Sequence, residues 1–228
     1  MLEAQNLHKS FSAHQVLKGV SISVNPGEIQ VLIGLNGCGK TTLQRILTGI
    51  LDPDQGTVSI GSVDITGLPP EDRRIGYVPQ HTALFKHLSV RENILYPLQN
   101  GRGSEETFHK IVKLLSLEPY LDWKPHKLSG GYRARAALAR ALVSAPRVML
   151  LDEPITEVDR AKKEYILPLF RDVLLQLHIP VLYITHDPWE AGQIGTSFSV
   201  MKDGVVNRID SLEEAFALIR EQARSNGE

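Results

Sequence analysis

The stretch Gly34-Leu35-Asn36-Gly37-Cys38-Gly39-Lys40-Thr41-Thr42 carries residue types that can hold a phosphate chain. It fits the G-x-x-x-x-G-K-[ST] spacing of a P-loop. Glycines let the backbone wrap phosphates, and successive N–H groups point inward at a helix N-terminus. Lys40 would reach the β- and γ-phosphates, and the Thr41 hydroxyl would ligate Mg²⁺. Cys38, among loop amides and near Lys40, is expected to favour the thiolate. Another glycine motif, Leu128-Ser129-Gly130-Gly131, lies far downstream, ahead of a helix over Tyr132–Val143. Its serine and N–H groups also sit at a positive helix end. One nucleotide site needs only the P-loop, so the downstream motif reads as half of a site completed by another copy. Taken alone it would be a flexible turn with an N-cap serine.

Val148-Met149-Leu150-Leu151-Asp152-Glu153 is an apolar strand ending in two carboxylates. Strand ends at a sheet's carboxyl edge face the ligand crevice. Asp152 there would hold Mg²⁺, directly or through water. Glu153 could accept a proton from an attacking water.

These groups need a scaffold. Strands are expected at Ala4–Leu7, Val20–Val24, Ile29–Ile33, Thr57–Ile60 and Ile75–Val78, with a helix from Gly39 to about Thr48. Short turns between the early strands predict that part of the sheet is antiparallel. From about Phe85 to Ala145 the pattern is helical: Phe108, Ile111, Val112 and Leu115 recur at helix spacing. Val148–Leu151 and Val181–Thr185 read as strands buried on both faces, with a helix between them from Arg160 to Leu177, bent near Pro168. Phe198–Met201 and Val205–Ile209 flank Lys202-Asp203-Gly204, a hairpin signal. Ser211-Leu212-Glu213-Glu214 is a capping box opening a last helix, and Ser225–Glu228 reads as a frayed tail. The fold class is α/β: a P-loop core (1–84 and 146–228) with a mixed sheet, and a helical subdomain inserted at about 85–145.

Composition excludes several classes of protein. Lys plus Arg is 25 and Asp plus Glu is 26, so no basic nucleic-acid surface or polybasic anchor is indicated. No apolar run approaches the roughly 18–20 residues that span a bilayer, and the N-terminus lacks a signal pattern. A cytosolic location is the expectation. The single cysteine excludes an internal disulfide and a multi-cysteine zinc site.

With these motifs in this order, the chain resembles the ATP-binding cassette (ABC) ATPases over nearly its whole length. The resemblance implies that Gly34, Asn36, Gly37, Cys38, Gly39, Lys40, Thr41 and Thr42 bind ATP. It implies that Ser129, Gly130 and Gly131 act in trans across a head-to-tail dimer. Gln80, in Tyr77-Val78-Pro79-Gln80, matches the Q-loop residue that touches Mg²⁺ and the water. Asp159 matches the D-loop aspartate, and His186, in Thr185-His186-Asp187, matches the switch histidine on the γ-phosphate. Phe11 falls where an aromatic ring stacks on adenine. Taken singly, Gln80 and Asp159 read as surface loop residues, His186 as a helix cap and Phe11 as core. Catalysis would rest on Glu153, His186 and Gln80; Thr41, Gln80 and Asp152 would face Mg²⁺.

The chain departs from the family pattern at two places. Tyr132 stands where the signature has Gln, which could alter a ribose-edge contact. Thr156-Glu157 replaces Ser-Ala in the D-loop, adding negative charge where ATP's own charge crowds the dimer seam. The implied partners are another copy of the chain, a separate transmembrane permease and, for an importer, a substrate-binding protein; no nucleic acid is implied. The implied location is the cytoplasmic face of the plasma membrane, peripherally bound. Leu84–Ile94 resembles the helical-insertion entry of bacterial importer subunits, and Arg160–His186 is most similar to oxyanion importers of the molybdate or sulfate kind. A permease groove is expected within 81–98, with Phe85, Leu88 and Leu95 as its apolar floor or, in the other reading, some of them as ordinary helical core. No regulatory domain is expected after Glu228. Competing classes are an exporter subunit, a DNA-repair or translation ATPase, and a regulatory cassette without turnover. The last would predict loss of Glu153 or His186, and both are present.

Overall fold

The structure, a computed structural model, describes residues 1–81 and 83–215. Along the chain run β1 (Leu2–Phe11), β2 (His14–Val24), β3 (Ile29–Ile33), α1 (Lys40–Thr48), β4 (Gln55–Ile60), β5 (Val63–Asp64) and β6 (Ile75–Val78). Three helices follow, α2 (Val90–Gln99), α3 (Glu105–Leu114) and α4 (Gly130–Val143). Then come β7 (Val148–Asp152), α5 (Arg160–Gln176), β8 (Val181–Thr185), α6 (Pro188–Ile194), β9 (Ser197–Lys202) and β10 (Val205–Ile209). The helix opened by the capping box has its first turn at residues 212–215, with Ser211 Oγ accepting from Glu214 N–H at 3.3 Å. The rest of that helix and the expected frayed tail lie outside the described residues.

The strands form two sheets. One is antiparallel, in the order β2-β1-β4-β5. The other is mixed, in the order β10-β9-β3-β8-β7-β6, with only the β9–β10 hairpin antiparallel. The early antiparallel strands thus build a sheet of their own. Short turns dictate antiparallel pairing but not which sheet a pair joins, and among the described residues β1 pairs with β2 and β4 alone.

Alternation along the central strands feeds two cores. Val31, Ile33, Met149, Leu151, Val181 and Tyr183 face one side, against α2 to α6. Leu32, Val148, Leu150, Leu182 and Ile184 face the other, where Leu43, Ile46 and Leu47 of α1 and the antiparallel sheet complete the packing. This is the period-two pattern of a strand buried on both faces. The P-loop helix is therefore held between the two sheets. α5 continues as one helix through Pro168.

Arg73 ties the far end of α1 to the base of β6. Its side chain is 2% exposed, and it donates to the carbonyls of Ile46, Leu47, Leu68 and Thr66 at 2.7, 3.0, 2.7 and 2.5 Å. Two of those carbonyls lie in the last turn of α1, where helical partners run out, and Ile46 O also accepts from Gly49 N–H at 3.1 Å. Replacing Arg73 with Met would take its donors away from all four carbonyls, two of the bonds being buried and two part-buried. We expect Arg73→Met to cost about 3 kcal/mol. In a chain of this size each kcal/mol is worth about 2–4 °C, so scanning calorimetry should show a melting temperature roughly 6–12 °C lower.

Candidate functional site

β3, β8, β7 and β6 are mutually parallel neighbours, so their carboxyl ends share one edge. Their registers are close: Ile33 pairs with Thr185, Asp152 with Ile184, and Val78 with Leu151. The residues that follow these strand ends are Gly34, His186, Glu153 and, after Pro79, Gln80. One edge thus gathers groups from four distant parts of the sequence. Val16, Asn36, Gly37, Gly39, Lys40, Thr41, Thr42, Gln80, Asp152 and Glu153 line a single concavity there of ≈ 220 Å³.

The loop between β3 and α1 has the backbone its glycines permit. Gly39, the N-cap of α1, has φ 113, a conformation closed to residues with a Cβ. The Lys40 ammonium turns back into the loop and donates to the carbonyls of Gly34 (2.6 Å) and Leu35 (2.8 Å). Thr41 is exposed and Thr42 half-buried.

Glu153 is the most heavily engaged group of the site. It is 7% exposed, with φ 44, in the left-handed region. For a non-glycine residue that costs about 1–3 kcal/mol and persists only where the surroundings enforce it. Here its N–H donates to Ile184 O at 2.9 Å and its carbonyl accepts from Thr156 Oγ1 at 2.8 Å. Its carboxylate meets His186 Nδ1 at 2.9 Å, Gln80 Nε2 at 3.3 Å and Thr156 Oγ1 at 3.4 Å. An ionised carboxylate only accepts, so His186 must carry its proton on Nδ1 in this arrangement. The His186 side chain is 55% exposed.

Asp152 lies deeper. Burial pushes its carboxyl up and the neighbouring Glu153 charge adds to that, while Gln44, Lys40 and Tyr77 pull against it. Tyr77, on β6, is itself pushed up to about 12 by burial and by Asp152. Gln44 is 1% exposed, and neither of its amide atoms has a hydrogen-bond partner of normal length among the described residues. It lies close enough to Asp152 to favour the carboxylate without closing a bond to it. Gln44 is a site group that no sequence motif marks, while Tyr77 and Thr156 stand inside the motifs without a role assigned to their side chains. Gln44 left one signal: an amide beside the apolar stripe Leu43, Ile46, Leu47.

Ser129, Gly130 and Gly131 stand apart from this concavity. They open α4, and Ser129 is exposed, without a cap bond from its side chain. Ser129 and Gly131 line a different hollow, with Tyr132, Arg135, Lys162, Tyr165 and Ile166. A Cβ on Gly130 would meet the Glu157 carbonyl at 2.4 Å, so that glycine lets α4 approach the loop after β7. Tyr132 turns into its own subdomain, 4.1 Å from the Tyr120 ring and under the Arg135 guanidinium at 4.9 Å. Glu157 does not stand as a bare charge: Arg133 Nη2 lies at 3.0 Å and His81 Nδ1 at 3.7 Å. Asp159 begins α5, exposed and paired with Lys162 at 2.8 Å. Phe11 is 47% exposed at the end of β1, which removes the core reading of its ring.

Cys38 departs from its expected thiolate character. It is 5% exposed, and burial pushes its thiol up against the opposing pull of Lys40 and the loop amides. The positive neighbours are present, but desolvation outweighs them.

A phosphate loop at the carboxyl edge of parallel strands, facing paired carboxylates, defines a P-loop nucleotide-binding protein. Known proteins make this specific. Residues 17–156 match the ABC transporter family, and the chain belongs to that family. It is 38% identical to the sulfate/thiosulfate import ATP-binding protein CysA of Pseudomonas putida, over 94% of this chain and 68% of that one. It is 36% identical to the spermidine/putrescine import ATP-binding protein PotA of Marinobacter nauticus, over 95% of this chain and 59% of that one. The chain thus spans about three fifths to two thirds of these relatives. Among solved structures, the dimeric post-hydrolysis state of the ATP-binding cassette MJ0796, bound to ADP and Pi, matches with TM-score 0.78 at 29% identity, over 93% of this chain and 99% of that one.

Because Cys38 is desolvated, maleimide should modify it no faster than an ordinary cysteine thiol at pH 7. Rapid stoichiometric labelling of the native protein, blocked by nucleotide, would restore the thiolate reading.

Proposed function

We propose that this chain is the ATP-binding and ATP-hydrolysing subunit of an ABC importer, working as a pair of copies beneath a separate transmembrane permease. The carrying observation is the convergence of Gln80, Asp152, Glu153 and His186 on the edge that holds the P-loop. ATP would lie with its β- and γ-phosphates in the loop from Gly34 to Thr42. Lys40 would turn from neutral carbonyls to charged phosphate oxygens, a stronger bond. Phe11 presents an exposed ring for adenine.

Thr41, Gln80 and Asp152 would hold Mg²⁺. They offer oxygen donors in one concavity, and the adjacent buried carboxylates form a charge excess that a divalent cation relieves. When bound, the ion neutralises charge on the transferring phosphoryl group. Glu153 would take the proton of the attacking water, and Gln80 would orient that water from its place on the Glu153 carboxylate. His186 would leave Glu153 for the γ-phosphate. Ser129, Gly130 and Asp159 would meet the ATP or loops of the other copy, since their own chain gives them no share in the P-loop concavity.

A separate hollow of ≈ 580 Å³ lies beside Gln80, lined by His81, Ala83, Leu84, Lys86, Pro125, His126, Arg133 and Glu157. It suits a permease segment better than the floor expected from Phe85, Leu88 and Leu95. Phe85 instead packs on Tyr96 at 4.7 Å and under Arg140 at 5.1 Å. No helix among the described residues is long and apolar enough to cross a membrane. By likeness to import ATP-binding proteins, attachment would be peripheral, at the cytoplasmic face. The helical segment 85–145 would move against the core as a unit. The sulfate/thiosulfate relative agrees with the oxyanion impression, but a polyamine relative is nearly as similar. Cargo choice is thus better assigned to the membrane and binding-protein partners.

Glu153→Gln should keep ATP affinity within a few fold and slow hydrolysis about 10²–10⁴-fold, the usual loss of a general base. Single-turnover kinetics with MgATP decides it. A mutant with near-normal hydrolysis would remove Glu153 from that role.

A further inference from the structure

One buried ionic cluster lies behind the site and has no part in the chemistry above. Glu190, on α6, is 4% exposed. Its Oε1 meets Lys163 Nζ of α5 at 2.5 Å. Its Oε2 accepts from Thr185 Oγ1 at 3.1 Å and from the fully buried Tyr183 hydroxyl at 3.4 Å. A buried ion pair is weak evidence for stability, because apolar replacements of similar volume are often as stable or more so. Its geometry explains it better. The single Thr185 hydroxyl proton goes to Glu190, which leaves the oxygen lone pairs facing the N–H of Asp187, at 3.0 Å. Thr185 and Asp187 flank His186. Asp187 is in turn fixed by Trp189 N–H on its carboxylate (2.9 Å) and Ala191 N–H on its carbonyl (3.1 Å). The backbone of His186 is therefore clamped on both sides, and the clamp is anchored by Glu190.

We propose that the Lys163–Glu190–Thr185 chain positions His186, setting where its ring stands against Glu153 and tying that seat to α5. Lys163 lies four residues after Asp159, which opens α5 at the loop carrying Thr156 and Glu157. A displacement of that loop is transmitted through Lys163 to Glu190 and on to the turn bearing His186. The residues act through His186 and touch no reacting atom, so they are positioning residues. The inference rests on the reading of His186 as the group that meets the γ-phosphate.

The test is a double-mutant cycle in the full chain, Thr185→Val with His186→Ala, and Thr185→Ser as the conservative control. Thr185→Val is isosteric and leaves Glu190 its lysine and tyrosine partners, so the fold should survive; circular dichroism checks this. Thr185→Val should lower kcat about 10- to 100-fold, the scale of an ångström-level misplacement, with KM for MgATP within about twofold. Thr185→Ser should recover most of the loss. In the His186→Ala background, Thr185→Val should cost less than about twofold more, because the group it positions is gone. A further readout needs no nucleotide. In histidine-labelled protein the His186 ring resonances should be shifted or exchange-broadened by Thr185→Val and restored by Thr185→Ser. Additive losses in the cycle, or unchanged ring resonances and kcat in Thr185→Val, overturn the positioning role. Normal turnover in His186→Ala alone overturns the reading of His186 itself, a different outcome from either.

Discussion

The constraint on which the structure depends is the parallel register of four strands. β3, β8, β7 and β6 run the same way and end within a residue or two of one another. Shift any of them by one residue and its whole side-chain set changes face, exchanging the two cores. The same shift would pull Gly34, His186, Glu153 or Gln80 off the common edge. Core packing and site geometry are thus one condition. The two cores are correspondingly dense in β-branched and leucine side chains at zero or near-zero exposure.

The site adds a local charge problem. Asp152 and Glu153 are adjacent carboxylates at a buried edge. The fold meets the Glu153 carboxylate with donors from two other loops, Gln80 and His186, and leaves Asp152 destabilised as a carboxylate. That leaves Asp152 as the carboxylate with more to gain from a nearby cation. Glu153 also carries the strained backbone, at the place where β7 must turn sharply to present its side chain. Behind it, the Glu190 cluster and Arg73 hold the elements that bear His186 and the P-loop.

Much of this was legible in the residues because it is local. The P-loop glycines, the continuous apolar runs of β3 and β8, and the Asp203-Gly204 hairpin turn state their conformation within a few residues. Both hairpin residues adopt positive φ, 51 and 82, as that turn requires. Short elements were not legible. β5 has two residues, and α6 has seven, announced only by the Asp187 cap and Pro188 at its first turn. Properties set by distant partners were hidden as well. Glu157 reads as a bare charge in the sequence, yet Arg133 and His81 stand beside it; Cys38 reads as activated, yet it is buried. Glu190 gave no sign of its lysine, 27 residues away.

The central claim is that one ATP site is shared between two copies, because Lys40 and Ser129 of one chain line separate concavities. Mixing two defective chains tests it directly. Lys40→Ala spoils every P-loop and Ser129→Glu spoils every signature, so each homodimer should be inactive. In a mixed dimer the intact P-loop of one chain faces the intact signature of the other. Refolding or exchanging the two variants together should restore ATPase activity that neither has alone, through one complete site in each mixed dimer. If mixing restores nothing while heterodimers are shown to form, the site is completed within a single chain and the shared-site account is wrong.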